Sequence, residues 1–337
     1  MSSLHCKVPM AAIDTSGLQG VVRRGRLASA LVVGITLAGC ATTDQRVAPA
    51  VVSTCAERLS GTSAEISLTA TAENGRKVPL TIFVPEQAGT YPLIGFSHGA
   101  FASPTRYRAM LASLAAAGYI VIAPMHIDSE EFGLPERPAP ADTWRTRNLD
   151  MALALDPTAE ITGALAERGM KIDPERLASV GHSYGAIMAQ LPGGAMATEP
   201  DGSQVNRANS AVDAVVGWSP PGQVPGMISA EGWGTLAKPT LTITGTADIL
   251  PGFIDDWRAH KASHDYAPQG NRALWVGEGI DHYFGGMFGR EKPATASSQA
   301  LFRRALAVSL NFIDRHVNRA DVCALGDASA GESYQED

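Results

Sequence analysis

A serine flanked by two glycines lies near the middle of the chain. Residues 181–185 read Gly-His-Ser-Tyr-Gly and follow the apolar run Leu177–Gly181. A serine becomes a nucleophile when its hydroxyl projects from a tight strand-to-helix turn towards a base, with a backbone N–H group aimed at the reacting atom. Glycines two positions before and after it leave room for that turn. The pattern predicts that Ser183 is a nucleophile.

Three further segments extend this motif into a resemblance that covers nearly the whole chain from residue 40 onwards. Together they are similar to the α/β-hydrolase superfamily, and more closely to polyester hydrolases and cutinases, dienelactone-hydrolase-like enzymes and platelet-activating-factor acetylhydrolases. The segments are Tyr91–Phe101, which looks like the third strand and oxyanion loop, Leu111–Ala123, which looks like the next helix and strand, and Ile172–Leu177, which resembles the approach to the nucleophile.

The general base should come from the histidines that follow Ser183, since the superfamily order is serine, acid, histidine. His282 comes just after the last predicted strand, in a loop that can fold over the sheet edge. His260 and His264 lie in or beyond a predicted surface helix, and His316 ends the last helix. We therefore predict His282 as the base.

The acid that orients the base is predicted at Asp248, directly after the strand that begins at Thr240. This position matches the acid after the seventh strand in most of these families, although Asp248 could also cap a following helix. Asp255 and Asp256 are weaker candidates because they fall inside that helix. Platelet-activating-factor acetylhydrolases place the acid after the sixth strand, where residues 217–219 of this chain read Gly-Trp-Ser. That departure favours the cutinase-like arrangement.

The oxyanion hole should use the backbone N–H groups of Tyr184 and Ala100, with Phe101 as the alternative second donor. His98 is expected to hold this loop by hydrogen bonds. Trp218 matches a tryptophan that borders the substrate groove of polyester hydrolases, and Phe101 is a further groove candidate. A core position explains Trp218 equally well.

The elements around these residues predict an α/β-hydrolase fold, with a mostly parallel eight-stranded sheet, helices on both faces and a small cap or none. The hairpin signal Asn74-Gly75 joins the first two strands. Arg145, Arg147 and Asp150 fall on one predicted helix, whose polar side chains we interpret as a solvated face rather than a network beneath the site. The predicted strands are Ala64–Ala72, Lys77–Pro85, Tyr91–Ser97, Tyr119–Met125, Leu177–Gly181, Val212–Trp218, Thr240–Thr244 and Ala273–Val276.

The first residues indicate export. Arginines precede an apolar run, Leu27–Ala38, and the following Gly39-Cys40 completes a stretch that looks like a bacterial lipobox. The resemblance implies cleavage before Cys40 and a lipid on its sulfur, whereas an ordinary secretory signal or a short membrane anchor are the alternatives. The predicted organisation is a signal peptide over 1–39, a tether over 40–60, a catalytic domain over 61–325 and a disordered acidic tail over 326–337.

Cys55 and Cys323 remain as a pair once Cys40 carries lipid. An oxidising compartment permits a disulfide between them, and two unpaired thiols on mobile ends are the alternative. The scattered cysteines have no zinc-site spacing, and no Gly-Lys-Ser/Thr follows the Gly285-Gly286 pair, so we expect neither a metal nor a cofactor.

The net charge of −7 argues against nucleic acid as a partner. The sequence therefore predicts a monomeric, lipid-anchored enzyme, placed at the outer membrane, that cleaves carboxylic esters of small-molecule, lipid or polymer substrates through an acyl-enzyme. An amidase or peptidase with the same triad is the first alternative, and a non-catalytic binding protein on this fold is the second.

Overall fold

Short runs of β-branched and aliphatic residues form the centre of the molecule. The computed structural model describes residues 53–289, 294–319, 321–328 and 330–337. Its strands are β1 (Ser63–Thr71), β2 (Lys77–Pro85), β3 (Gly89–Ser97), β4 (Ile120–Pro124), β5 (Met170–His182), β6 (Met196–Thr198), β7 (Gln204–Asn206), β8 (Val212–Trp218), β9 (Thr240–Ala247), β10 (Arg272–Asp281) and β11 (Glu332–Glu336). Nine of these described strands form one sheet in the order β1-β2-β4-β3-β5-β8-β9-β10-β11, and β6 pairs with β7 in a separate hairpin.

The sheet is parallel from β4 through β10, while β1, β2 and β11 pair antiparallel with their neighbours. This architecture is the predicted α/β-hydrolase fold. The helices are α1 (Cys55–Leu59), α2 (Arg108–Ala116), α3 (Pro140–Leu155), α4 (Ala159–Ala166), α5 (Tyr184–Gln190), α6 (Ala230–Trp233), α7 (Ala262–Tyr266) and α8 (Ala296–Ile313).

Helices cover both faces of this sheet because its central strands are apolar on both sides. On one face, α2 and α8 pack with Phe96 and Val121. On the other face, α3 and α4 pack with Leu93 and Ile122. Insertions beyond this core are small, namely the β6–β7 hairpin and the single turn of α6. None of the described helices is long and apolar enough to cross a membrane.

The C-terminal segment differs from the prediction of a disordered tail. Residues Glu332–Glu336 form β11 along the edge of β10, which gives the sheet nine strands instead of the predicted eight. Arginines stabilise this acidic strand: Arg304 Nε lies 2.7 Å from the Glu332 carboxylate, and Arg315 lies 2.7 Å from that of Glu336. The acidic composition of this segment therefore did not indicate disorder, because the arginines that pair with its glutamates lie elsewhere in the chain.

The predicted tether over 40–60 also ends earlier than expected. Thr54 caps α1 through a reciprocal capping box with Glu57, so the folded unit starts before residue 60. Cys55 in this helix forms a disulfide with Cys323, as predicted, across 268 residues of chain. Loss of a native disulfide typically costs about 2–5 kcal/mol. Residues 1–52, including the predicted signal and Cys40, lie outside the described residues.

Candidate active site

The turn between β5 and α5 holds Ser183 in a backbone conformation that side chains other than glycine rarely adopt, with φ 55° and ψ −123°. The flanking glycines are a steric requirement. A Cβ atom on Gly181 would lie 2.0 Å from the Gly185 carbonyl oxygen, and one on Gly185 would lie 2.0 Å from the Ser97 carbonyl oxygen. The predicted strand–turn–helix therefore presents the Ser183 hydroxyl at the carboxyl edge of the sheet.

Two loops from neighbouring strands bring a histidine and a carboxylate to this hydroxyl. His282 follows β10, and its Nε2 lies 2.9 Å from Ser183 Oγ. Asp248 follows β9, and its Oδ1 lies 2.7 Å from His282 Nδ1. The carboxyl ends of parallel strands meet at one edge, which explains how residues 99 positions apart converge. The structure thus brings together the three residues predicted as nucleophile, base and acid.

Asp248 is fully buried, and its other oxygen, Oδ2, accepts a hydrogen bond of 2.7 Å from Thr244 Oγ1. Burial by itself raises the pKa of Asp248, but its contacts with His260 and His282 outweigh burial and hold that pKa well below its usual range. The carboxylate is therefore ionised, as required of a group that orients an imidazole and stabilises its charged form.

The predicted oxyanion donors lie beside the serine. A Cβ atom on Gly99 would lie 3.4 Å from Ser183 Cβ, so the loop that carries Ala100 borders the nucleophile. Among the described residues, the N–H groups of Ala100 and Tyr184 have no hydrogen-bond partner. The N–H group of Phe101, the alternative donor, is engaged by Asp128 Oδ2 at 3.1 Å. This favours Ala100 over Phe101 as the second donor.

Comparison with known families agrees with this geometry. The family model described as Chlorophyllase matches residues 56–226, which is half of the chain. The chain belongs to the chlorophyllase family. Chlorophyllases are serine esterases of the α/β-hydrolase superfamily, so membership of that superfamily is confirmed. None of the curated proteins matches this chain.

The chlorophyllase match contains Ser183 and Ala100 but ends before Asp248 and His282. The family assignment therefore does not depend on the loops after β9 and β10, which carry Asp248 and His282. The closer likeness to polyester hydrolases and the other named groups stays a prediction.

Beneath the oxyanion loop of this chlorophyllase-family chain lies a buried ion pair. Arg147 donates to both oxygens of Asp128 at 2.8 Å, and also to the carbonyl oxygens of His98 and Gly99 at 2.7 and 3.0 Å. Burial opposes ionisation of Asp128, but the Arg147 charge lowers its pKa overall. A bidentate pair of this kind fixes the backbone that carries Ala100.

The interpretation of Arg147 and Asp150 as a solvated helical face was therefore wrong, because both side chains are fully buried. Arg145 alone fits it, since its exposed side chain pairs with Asp142. Their spacing along the helix could not show that Arg147 is buried and Arg145 exposed, because the polar partners of Arg147 lie on other elements. The structural role expected of His98 fits its contacts. Its Nδ1 lies 2.8 Å from the Gly99 carbonyl oxygen, and its Nε2 accepts the N–H group of His126 at 3.0 Å.

A second serine–histidine–aspartate arrangement lies below the first and is fully buried. His126 Nε2 is 2.8 Å from Ser97 Oγ, and His126 Nδ1 is 2.9 Å from Asp150 Oδ2, while Arg76 contacts the other carboxylate oxygen, Oδ1. Burial, with the nearby Arg147 charge, lowers the pKa of His126 well below its usual value, so the ring is neutral. Since all three side chains are inaccessible, this set supports the sheet edge and does not bind substrate.

His182, inside the Gly-x-Ser-x-Gly segment, ties three loops together. Its Nε2 donates to the His282 carbonyl oxygen at 2.9 Å, and its Nδ1 accepts from the Tyr107 hydroxyl at 2.8 Å. The same hydroxyl accepts the Gly99 N–H group at 3.1 Å. Burial and the neighbouring His282 lower the pKa of His182 well below its usual value. The neutral ring thus links the oxyanion loop to the histidine loop.

His260 is the functional candidate that sequence reasoning missed. It was predicted on a surface helix, yet its ring is fully buried in the 3₁₀ turn Trp257–Lys261, and its Nε2 lies 2.9 Å from Asp248 Oδ1. The charged residues Arg258 and Lys261 flank His260 in the sequence, and no local signal distinguishes His260 as a buried residue.

Asp248, His260 and His282 are also metal-ligating residue types whose ligand atoms lie within 4.8 Å of one another. Their separations of 2.7 and 2.9 Å are those of hydrogen-bonded and ion-paired groups, and His282 Nε2 faces Ser183. We therefore interpret the cluster as a proton-transfer arrangement.

A cavity of about 630 Å³ opens above Ser183 and His282. Phe101 lines it as predicted, under the guanidinium of Arg137 at 4.2 Å. Trp218, which was predicted to border the groove, does not line this cavity. Its ring is fully buried against Phe284, Phe288 and Phe302, so it is a core residue, as the alternative interpretation held. The apolar wall includes Phe101, Ile187, Val224, Met227, Leu250 and Phe253. The charged lining residues Arg106, Glu130 and Arg137 are partly or well exposed and lie at the rim.

Proposed function

We propose that this protein hydrolyses carboxylic esters through an acyl-enzyme on Ser183. The observation that carries the proposal is the continuous chain of hydrogen bonds from Asp248 through His282 to Ser183, which opens into an accessible cavity. The reaction needs a nucleophile, a base with the correct tautomer, and donors for the oxyanion, and each requirement has a residue in reach.

In the first half-reaction, His282 Nε2 takes the proton from Ser183 Oγ as that oxygen bonds to the ester carbon. The oxygen that becomes negative faces the N–H groups of Ala100 and Tyr184, each worth roughly 3 kcal/mol in the transition state. The imidazolium then gives its proton to the departing alkoxide, which leaves as the alcohol. Water repeats the sequence on the acyl-enzyme and releases the acid and Ser183.

The cavity wall favours an ester with a hydrophobic part. Its apolar side chains outnumber the charged ones, which lie at the rim. An amide or peptide substrate remains the alternative, because the same triad can cleave both bonds and leaving-group preference resides in the pocket. A non-catalytic binding protein would not need a strained serine beside a hydrogen-bonded histidine.

A substrate panel tests the proposal. We expect p-nitrophenyl esters of increasing chain length to be hydrolysed, with medium or long acyl chains preferred, and the matching p-nitroanilide to react at least about 100-fold more slowly. A polyester film and chlorophyll belong in the panel, the first from the predicted likeness and the second from the family name. Faster cleavage of the anilide would make the protein an amidase. If the protein neither hydrolyses any substrate of the panel nor reacts with a fluorophosphonate, the proposal is wrong and the alternative of a non-catalytic binding protein is favoured.

We also propose that the protein is a monomer anchored to the outer membrane through lipid on Cys40. Cys40→Ala should abolish incorporation of radiolabelled palmitate, whereas Cys6→Ala, the matched control in the same leader, should retain it. The residue after Cys40 is Ala41 and not the aspartate that is associated with inner-membrane retention, so the lipidated protein should fractionate with the outer membrane. Residence in the inner membrane would contradict the location alone, and label on Cys40→Ala would contradict the anchor.

A further inference from the structure

The carboxylate proposed as the catalytic acid contacts two imidazole rings, and the mechanism above uses only one of them. His282 Nδ1 lies 2.7 Å from Asp248 Oδ1, and His260 Nε2 lies 2.9 Å from the same oxygen. Both rings are buried, with their centroids 5.4 Å apart. The charge state of His260 must therefore influence the electrostatic potential at His282, because both rings contact Asp248.

The contacts of His260 determine where its protons lie. Its Nδ1 is 2.8 Å from the Pro220 carbonyl oxygen, and because a carbonyl oxygen can only accept, Nδ1 carries a proton. Its Nε2 faces the Asp248 carboxylate as an ion-pair contact, since no partner of regular hydrogen-bond geometry is present. An unprotonated Nε2 would place a lone pair 2.9 Å from a negative oxygen at a site where both side chains are fully buried. A proton is therefore required between the two groups.

That proton belongs to the imidazole and not to the carboxyl group. Asp248 already accepts hydrogen bonds from Thr244 and His282, which favour its ionised form. An aspartate is also the weaker base by more than two pH units in the unperturbed amino acids. His260 then has protons on both nitrogens and a positive charge that balances Asp248.

Among the described residues, no basic side chain other than those of His260 and His282 lies within ion-pair distance of Asp248. On the turn that carries His260, Arg258 pairs with Asp256, and Lys261 pairs with Asp265. His264 Nδ1 contacts Asp265 as well.

The titratable rings packed against His282 are His260, His182 and Tyr283, with Asp248 at its Nδ1. His182 is neutral, as shown above, and Arg106 lines the cavity in front of them. The charged groups nearest the Nδ1 side of His282 are thus Asp248 and, through it, His260.

We propose that His260 is a positively charged positioning residue which, through Asp248, keeps His282 neutral and able to accept a proton in mildly acidic solution. The positive charge opposes protonation of His282, because two like charges at this separation repel in a buried site. This inference rests on the proposed role of His282 as the base. It implies that the acid limb of the pH–rate profile lies lower than it would with Asp248 alone.

The test compares His260→Gln with the matched control His264→Gln, a buried histidine on the next turn that does not touch Asp248. Glutamine keeps a neutral donor for Asp248 but removes the charge. We expect the acid limb of kcat/KM to move up by about two pH units in His260→Gln, from the Coulomb interaction of two unit charges at the ring separation of 5.4 Å and an effective dielectric constant of about 20. The limb should stay in place in His264→Gln. An unchanged or downward-shifted limb in folded His260→Gln would overturn the proposal.

A second measurement uses the wild-type protein and needs neither a variant nor activity. In ¹⁵N-histidine NMR spectra at about pH 8, one imidazole should have both nitrogens protonated. If every ring is singly protonated, His260 is neutral and the proposal is wrong, even if His260→Gln does not fold. A wild type without esterase activity would instead refute the proposed function, while the NMR spectrum would still decide the charge of His260.

Discussion

Replacing Ser183 with alanine should abolish ester hydrolysis, lowering kcat by about four orders of magnitude or more while the protein stays folded. The Ser183 hydroxyl contacts His282 Nε2 and makes no other hydrogen bond within the described residues, so its loss removes the nucleophile and little else. The backbone turn is retained, since alanine meets the same φ restriction as serine. Activity on p-nitrophenyl esters, with circular dichroism and thermal unfolding, measures both effects.

The buried set around Ser97 offers a matched control for this experiment. Ser97→Ala should still react covalently with a fluorophosphonate, whereas Ser183→Ala should not, because only Ser183 reaches the cavity. Ser97→Ala should unfold more easily, by about 1–3 kcal/mol, since His126 Nε2 loses its buried partner. Labelling of Ser183→Ala, or a loss of activity below tenfold, would remove Ser183 from the mechanism.

Asp248→Asn should lower kcat by about 10³- to 10⁴-fold. The amide has a single oxygen, so it cannot accept hydrogen bonds from both Thr244 and His282 as the carboxylate does. An amide N–H group facing His282 would also favour the tautomer with the proton on Nε2, which cannot accept the Ser183 proton. It also leaves the buried imidazole of His260 without its counter-charge, so some loss of stability is expected. Steady-state kinetics together with urea unfolding separate the two effects.

Asp256→Asn is the control for that variant. Asp256 is exposed and caps the Trp257–Lys261 turn through the Arg258 N–H group, so asparagine can replace it with a change of less than about twofold in kcat. If Asp256→Asn were the more damaging change, the acid would have to be reassigned and the loop after β9 redrawn.

The sheet and the convergence of Ser183, His282 and Asp248 follow from patterns that are local in the sequence. The strands β5, β9 and β10 each contain a short apolar run, and Ser183, Asp248 and His282 come directly after these three strands. Parallel strands end at one edge, so the positions of these residues along the chain fix their neighbourhood in space. Gly-x-Ser-x-Gly adds the steric constraint of the turn. These features made the fold and the three-residue constellation predictable.

The buried polar network was beyond that reasoning. Arg147 is on α3 and Asp128 is in the loop after β4, and their pairing depends on how these elements pack. His260 was predicted in or beyond a surface helix, although its ring is fully buried. Trp218 shows the opposite difficulty, since an aromatic residue beside the nucleophile fits a groove and a core equally well until its neighbours are known.

The edge strand β11 affects how the chain can be shortened. Trimming at residue 326, where the composition places the end of the folded domain, would strip the cover from β10 and leave its backbone N–H and C=O groups unpaired beside Leu274 and Trp275. Such an edge is a template for pairing with a second molecule. Aggregation of a trimmed protein would then report on an uncovered sheet edge and would not mean that these acidic residues take part in catalysis.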